Sequence, residues 1–263
     1  MILFAVPGGA RRIARGAALL SLLGAPGMLA QVPAPAPAAQ VTMDTLPSYD
    51  RPNGALLRAG TLTYAITLIR PAGDSTPLGR RTVTVSEVTA GGVPSWLIAE
   101  SRMGTVVETT DSVSLVRADL APERWSATNG KSRFAASFSR DSMFGGADTY
   151  QGRSSFGVPV PSNTLLSAGM AERVIEMLPL RDGYHVGAYL VIVAGATPEV
   201  VRSEISVDST DTLTIGRQSV ECWRVLLRTP ATEERLWVAR DGARVVRTEQ
   251  LVPGGTLRAD FQP

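Results

Sequence analysis

Short alternating runs of apolar and polar residues, separated by turn-forming residues, fill most of the chain beyond residue 60. In the first run Leu62, Tyr64, Ile66 and Leu68 fall on one side, and Ala65 lies with threonines on the other. Successive side chains of a β-strand point to opposite faces, so this period of two indicates a half-buried strand. A chain built mainly from such runs has to form a sheet with one apolar face.

Glycine-containing turns join these runs. They occur at Gly91-Gly92, Asn129-Gly130, Arg240-Asp-Gly242 and Pro253-Gly-Gly255, where they predict tight hairpins. About twelve strands in sequence form an antiparallel meander, which must curl into a barrel or half-barrel, or split into a sandwich, to bury its apolar face. We predict a mainly β fold: a curved antiparallel meander, a half-barrel or open barrel.

One segment, about residues 163–178, has helical spacing instead. Leu166, Met170, Val174 and Met177 recur at intervals of three and four, and Glu172, Arg173 and Glu176 fall on the opposite side. Ser162 or Asn163 is the expected N-cap, and Pro179 should end the helix. The pattern predicts one amphipathic helix that packs on the concave face of the sheet.

The first thirty residues have the features of a signal peptide. Arg11, Arg12 and Arg15 precede the apolar run of residues 16–25, which is shorter than the roughly 20 residues that a transmembrane helix needs. Cleavage could follow Ala30 or any position up to residue 39, and no cysteine is available there for lipid attachment. We therefore predict an exported, periplasmic protein that is soluble and has no transmembrane anchor once the peptide is removed.

The chain beyond the signal peptide has two predicted parts and little net charge. Residues 31–54 begin with a Pro/Ala-rich tract and are predicted to form a spacer, whereas 55–263 should form a single β domain. The signal peptide holds three of the 26 basic residues and none of the 24 acidic ones, so the mature chain is nearly neutral. We therefore predict no nucleic-acid partner.

Few residues could support catalysis or metal binding. His185 is the single histidine, and Cys222, the single cysteine, lies in an apolar run that predicts a buried position in a strand. In the segment Gly152-Arg-Ser-Ser-Phe-Gly157, Phe156 stands where a nucleophile elbow at Ser154 requires glycine. His185 could serve Ser154 or Ser155 only with an acid and an oxyanion hole, and distant paired carboxylates stay open. We predict no catalytic residue, no metal and no cofactor.

Aromatic and apolar residues are the remaining candidates for a site. Four tryptophans fall in predicted strands, where they could line a cavity between the sheet and the helix or simply fill the core. An elongated apolar cavity in that place would suit an acyl chain. The candidate lining residues are Tyr64, Ile66, Trp96, Leu166, Met170, Val174, Met177, Trp223 and Trp237.

Several motifs in residues 58–263 carry a resemblance to a known family. They are Gly60-x-Leu62-x-Tyr64, Asp111-Ser-Val-Ser-Leu115, Leu120-x-Pro122, Leu178-Pro-Leu180-x-x-Gly183, Leu236-Trp-Val-Ala-Arg-Asp-Gly242 and Gly255-Thr-Leu257. With these motifs the chain resembles a family of exported bacterial β-proteins of unknown function, itself similar in fold to the periplasmic lipoprotein-carrier half-barrels. The resemblance implies a curved antiparallel sheet and supplies no catalytic residue.

Two functions are compatible with these features. The first is a non-enzymatic periplasmic protein of the cell envelope that binds an apolar or acylated ligand, such as a lipid or lipoprotein, in a half-barrel cavity. The alternative is a cell-envelope interaction or assembly module that has a filled core, binds an envelope protein and takes no small-molecule ligand. A cavity beneath the helix would favour the first, and a solidly packed space the second.

Overall fold

The computed structural model describes residues 45–49, 52–104, 108–166, 169–193 and 197–263. The predicted signal peptide lies outside these residues, as does most of the predicted spacer. Within them the chain forms fifteen strands, one α-helix and a 3₁₀ turn at Gly54–Leu56. Among the described residues, no helix has both the length and the apolar character needed to cross a bilayer.

The strands follow one another with short connections. Their bounds are β1 Gly60–Ile69, β2 Ser75–Ala90, β3 Val93–Gly104, β4 Thr109–Val116, β5 Pro122–Asn129, β6 Ser132–Phe138, β7 Ser142–Thr149, β8 Gly152–Pro159, β9 Thr164–Leu165, β10 His185–Ile192, β11 Glu199–Ile215, β12 Gln218–Arg228, β13 Glu233–Ala239, β14 Val245–Val252 and β15 Gly255–Gln262. The helix, α1, is Gly169–Glu176.

All fifteen strands belong to one sheet with the order β8-β7-β6-β5-β4-β3-β2-β1-β15-β14-β13-β12-β11-β10-β9. Neighbouring strands are antiparallel except β9 and β10, which are parallel. Because β1 pairs with both β2 and β15, it joins the two meanders that make up the sheet. The edges β8 and β9 do not pair, so the sheet is open, and the predicted mainly β antiparallel fold is confirmed.

The predicted hairpin turns lie between the strands as expected. Gly91 and Gly92 connect β2 to β3 with φ of 57° and 85°, in the left-handed region that glycine tolerates without steric cost. The Asn129-Gly130 turn connects β5 to β6 in the same way. A short loop connects β1 to β2, which begins at Ser75.

The helix is shorter than the predicted span of 163–178. Thr164 and Leu165 form β9, which pairs in parallel with Tyr189 and Leu190 of β10. Their backbone groups are therefore used by the sheet, and Ser162 and Asn163 precede this strand and do not cap α1. After Glu176 the chain makes turns with three-residue hydrogen bonds up to Leu178, and the helix ends before Pro179 as predicted.

One apolar cluster joins both halves of the sheet to the helix. It includes Val83 and Ile98 from the first half, Ile205 and Val225 from the second half, and Val174 from α1. Side chains from distant strands meet in it because the sheet curves around the helix. A second, smaller cluster consists of Cys222, Trp237, Ala239 and Val246. Cys222 is buried in β12 as predicted, and burial raises the pKa of its thiol to about 11.

Packing begins earlier in the chain than the predicted domain start at residue 55. Leu46 and Tyr49, from the predicted spacer, are buried. The backbone around them pairs with β10: Gly187 N donates to Pro47 O at 2.7 Å, and Tyr49 N donates to Gly187 O at 3.2 Å. Residues 45–49 therefore belong to the folded domain.

Candidate functional site

The polar side of α1 is buried. Glu172, Arg173 and Glu176 are 2%, 3% and 7% exposed, although they lie opposite the apolar stripe. They are buried because the curved sheet places protein on both sides of the helix. Burying charge is costly unless the charges are paired, so these three residues require partners in the sheet.

Arg81 of β2 is the first partner. Its Nη1 donates to Glu172 Oε1 at 2.6 Å, and its Nη2 donates to Glu100 Oε2 on β3 at 2.9 Å. Arg102 Nε donates to the other carboxylate oxygen of Glu100 at 2.6 Å. One guanidinium that is 2% exposed thus holds the helix to two strands. Arg81 Nε itself has no partner among the described residues.

A second group of contacts joins α1 to β14. Arg173 Nη2 lies 2.9 Å from Glu176 Oε1 and 3.4 Å from Tyr64 Oη, to which it donates. The Tyr64 hydroxyl donates to Val245 O at 3.0 Å, and Val245 N donates to Glu176 Oε1 at 2.6 Å. We call the set of buried charged residues Arg81, Glu100, Glu172, Arg173 and Glu176 the buried ionic network.

The carboxyl groups in this region differ in their pKa values. Burial raises the pKa of Glu176 to about 7, and Arg173 opposes this shift only in part. Burial also opposes ionisation of Glu100, but Arg102 and Arg81 outweigh it and lower its pKa to about 2. Burial and then the charge of Glu172 raise the pKa of Glu234, which is half-buried on β13. Glu176 and Glu234 are therefore the two carboxyl groups of this region whose pKa is raised.

Replacing Glu176 with glutamine should remove most of the stability change between about pH 5 and about pH 8. The folded-state pKa of about 7 lies above the ordinary value of 4.5. The stabilising contribution of the protonated form is thus fully present below about pH 4.5 and is lost as pH rises through 7. The shift corresponds to roughly 3 kcal/mol. Denaturant unfolding of both proteins across this range measures it.

The matched control for this pH effect is Glu221→Gln, because the Glu221 side chain is 74% exposed. The stability of this variant should depend on pH as that of the wild type does. The Glu100 carboxylate affects stability in a different pH range: its stabilising contribution is present above about pH 4.5 and is lost as pH falls toward 2. A Glu176→Gln variant that loses as much stability as the wild type between pH 5 and pH 8 would contradict the assignment.

A cleft opens beside the C-terminal end of α1. It has a volume of about 830 Å³, within the range of small-molecule sites. Its walls come from the 3₁₀ turn, the start of β1, β2, the end of the helix and the β13–β14 turn. The lining residues are Leu56, Leu57, Arg58, Ala59, Gly60, Leu62, Val85, Arg173, Glu176, Met177, Leu178, Arg240, Gly242, Ala243 and Arg244.

The 3₁₀ turn forms one wall and is fixed from three sides. Asn53 Oδ1 accepts from Ala55 N at 3.0 Å, which caps the turn. Gly54 N donates to Ala118 O, and Gly54 O accepts from Trp96 Nε1 at 2.8 Å. A Cβ on Gly54 would lie 2.1 Å from Arg117 O, so only glycine fits there. These contacts set the positions of the leucines that follow.

Exposure separates the mouth of the cleft from its floor. Leu56, Arg58 and Arg244 are exposed and form the mouth, together with Arg240 and the turn residues 242–243. The floor is buried and consists of Leu57, Val85, Arg173, Glu176 and Leu178. Leu62 and Met177 are half-buried between them. The cleft thus combines an apolar interior, a buried ion pair and a basic mouth.

The residues predicted to line a cavity beneath the helix are packed together. Trp96, Leu166, Met170 and Val174 are each at most 2% exposed and belong to the main apolar cluster. Leu166 N even donates to the sulfur of Met170 at 3.4 Å. Of the predicted lining residues, Met177 alone is among those that line the cleft.

The other predicted lining residues are spread over the sheet. Tyr64 is fully buried and belongs to the hydrogen-bonded region around Arg173, and Ile66 is half-buried on the same strand. Trp223 is half-buried, with the Arg240 guanidinium carbon 4.5 Å from its ring centre. Trp237 belongs to the second cluster, where its Nε1 donates to Asp211 Oδ2 at 2.8 Å. The structure does not bring these residues together in one cavity.

The described residues contain no group of three or more histidine, cysteine, aspartate or glutamate side chains that could hold a metal ion. The single histidine, His185, begins β10, and its Nε2 lies 3.4 Å from Glu204 Oε2. Glu204 Oε1 accepts in turn from Arg228 Nη1 at 2.6 Å. The histidine therefore contacts a carboxylate that is already paired with an arginine.

The alternating rows of β2 and β3 contain a sequence signal for the buried ionic network. Arg81 falls in the same alternating row as Val83 and Val85, and Glu100 falls in the row of Trp96 and Ile98. A charged residue that continues an inward-facing apolar row is a candidate for burial. The cleft had no such signal, because its mouth is built from turns far apart in sequence.

Comparisons with protein-family models, with curated proteins and with solved structures give no match for this chain. The resemblance to the exported β-protein family therefore stays a prediction from the motifs.

Proposed function

We propose that this chain is a non-enzymatic protein, exported to the periplasm, that binds an apolar or acylated ligand in the cleft beside α1. The observation that carries the proposal is the cleft itself: a space of about 830 Å³ whose interior is lined by Leu57, Leu62, Val85 and Leu178. Apolar surface withdrawn from water on binding supplies roughly 25 cal/mol per Å². An acyl chain is the kind of ligand that gains most from such walls.

The proposed site differs in position from the one expected from the sequence. Met170, Val174 and Trp96 fill the space beneath the helix, so a ligand would have to displace core residues to enter there. Such interiors are packed as densely as organic crystals, and opening one is costly. The cleft needs no such displacement, because its mouth is already exposed.

Leu56→Asn should weaken the binding of a neutral apolar dye such as N-phenyl-1-naphthylamine by roughly tenfold, the effect of losing one leucine's apolar contact. Leu56 is 62% exposed, so the change should leave the fold intact. Leu251→Asn is the matched control, because Leu251 is 71% exposed and lies away from the cleft. Fluorescence titration measures both, and equal affinities in the two variants would contradict the site.

Native mass spectrometry and lipid extraction test the function directly. Protein purified from the periplasm should carry an apolar compound, seen as an added mass in the native spectrum and recovered in the organic extract. A clean ligand-free mass with no extracted lipid, together with no dye binding, would reject the proposal.

A second candidate function is an interaction or assembly module of the cell envelope. The observation that favours it is the edge strand β8, which pairs with β7 alone among the described strands. Exposed aromatics lie close to this edge: Tyr150 in the β7–β8 turn is 83% exposed, and Phe144 on β7 is 51% exposed. A free edge can pair with a strand of another protein. Cross-linking to an envelope protein through residue 150, with a ligand-free mass, would favour this candidate.

A further inference from the structure

We infer that the cleft selects amphiphiles that carry an anionic head group, a carboxylate or a phosphate, held by Arg58 and Arg244 at its mouth while the apolar chain enters. This inference rests on the proposed function, since it assumes that the cleft binds apolar compounds. It adds the chemical class of the ligand and the residues that recognise it.

The residues that line the cleft carry an excess of positive charge. Four arginines line the cleft, Arg58, Arg173, Arg240 and Arg244, and the single acidic residue is Glu176. A concave surface lined by one sign of charge, with low-dielectric walls, concentrates the field and attracts the opposite charge. The mature chain as a whole is nearly neutral. The excess of positive charge is therefore a property of the cleft and not of the chain.

Two of the four arginines, Arg173 on the floor and Arg240 at the mouth, already have carboxylate partners. Arg173 on the floor is paired with Glu176 and Glu172, and Arg240 lies 3.4 Å from Glu221. Among the described residues, Arg58 and Arg244 have no carboxylate within salt-bridge distance. Their guanidinium donors are therefore available to a ligand, and the charge of Arg244 also lowers the pKa of Glu176.

Arg244 is held in position by an aromatic ring. Its guanidinium carbon lies 4.2 Å from the ring centre of Phe261 on β15, a contact that restricts its side chain without using its hydrogen-bond donors. The guanidinium donors can then meet carboxylate or phosphate oxygens, and such charge-assisted hydrogen bonds are about twice as strong as neutral ones.

The one carboxyl of the cleft does not repel an anion strongly. Glu176 Oε1 accepts from Val245 N at 2.6 Å and lies 2.9 Å from Arg173 Nη2. Burial also raises its pKa to about 7, so near neutral pH it carries less than a full negative charge. The mouth and floor together therefore keep a positive balance.

Isothermal titration of the purified protein with three probes tests this inference. The probes are dodecyl phosphate, dodecyltrimethylammonium with the same chain and opposite charge, and inorganic phosphate, with both amphiphiles kept below their micelle concentrations. We expect dodecyl phosphate to bind at least about tenfold more tightly than the cation, with an affinity that falls as salt is added. The double variant Arg58→Gln/Arg244→Gln should lose about that tenfold preference.

The matched control is Arg133→Gln/Arg140→Gln, two exposed arginines on β6 and in the β6–β7 turn that do not line the cleft, which should bind dodecyl phosphate like the wild type. Equal affinities for the two amphiphiles, or an unchanged affinity in the Arg58→Gln/Arg244→Gln variant, would overturn the head-group inference and leave apolar binding in place. Inorganic phosphate that binds as tightly as dodecyl phosphate would also overturn the head-group inference, because the cleft would then be a site for free anions. Failure of every amphiphile and of the neutral dye would instead reject the proposed function.

Discussion

Arg81→Met should lower the free energy of unfolding by about 3 to 5 kcal/mol, the usual cost of leaving buried charge without its partner. The variant keeps the apolar part of the side chain but removes the cation that Glu172 and Glu100 share at 2.6 and 2.9 Å. Glu100 retains Arg102, whereas Glu172 keeps only a contact of 3.4 Å with Arg173. Denaturant unfolding followed by tryptophan fluorescence measures the loss.

The neighbouring residue provides the matched control for Arg81. Arg80 points to the other face of β2 and is exposed, so Arg80→Met should change the free energy of unfolding by less than about 0.5 kcal/mol. The double variant Arg81→Met/Glu172→Gln should recover part of the loss, because it also removes the unpaired carboxylate. A double variant less stable than Arg81→Met alone would show that packing, and not charge, explains the effect.

Trp96→Ala should lower the free energy of unfolding by about 3 to 5 kcal/mol, in the range for a large buried aromatic replaced by alanine. Trp96 is 1% exposed, and its Nε1 donates to Gly54 O, so the substitution leaves a cavity and also releases the 3₁₀ turn. The cleft wall at Leu57 depends on that turn. Unfolding measurements give the stability loss, and dye titration gives the accompanying loss of binding.

Trp223→Ala is the control that separates burial from residue type. Trp223 is half-buried, so its replacement should destabilise the fold by less than the replacement of Trp96. Trp96→Phe is informative too, because it keeps most of the apolar contact and removes the indole hydrogen bond, at about 1 kcal/mol. Similar losses for Trp96→Ala and Trp223→Ala would contradict the role assigned to Trp96 as a core residue that fixes the turn.

The sheet was predictable from the sequence because a strand's side-chain period is local. The alternation of Leu62, Tyr64 and Ile66 needs no knowledge of distant residues, and Asn129-Gly130 specifies a turn through its own backbone preferences. The start of the helix was not predictable in this way. The apolar pair Leu165 and Leu166 fits either a helix or a strand. Leu165 lies in a strand because it pairs with β10, about 25 residues further along the chain.

The candidate site was less predictable than the fold. Met177 was expected at a ligand site and does line the cleft, but the residues around it come from separate parts of the chain. Arg58 and Arg244 lie at the same mouth because β1 pairs with β15 and β15 with β14. Nothing in the composition of either segment indicates this proximity. Leu56 and Leu57 lie at the boundary of the predicted spacer, where no periodicity marked them as walls.

The sequence by itself determined the fold class, because period-two alternation and turn chemistry are properties of a few neighbouring residues. Only the tertiary structure decided that Glu172, Arg173 and Glu176 are buried, that Trp96 and Met170 fill the space beneath the helix, and that a basic cleft opens beside it. These features depend on contacts between residues that are distant along the chain. The curvature of the sheet determines which strand lies opposite a charged side chain. That strand in turn determines whether the side chain is paired or exposed.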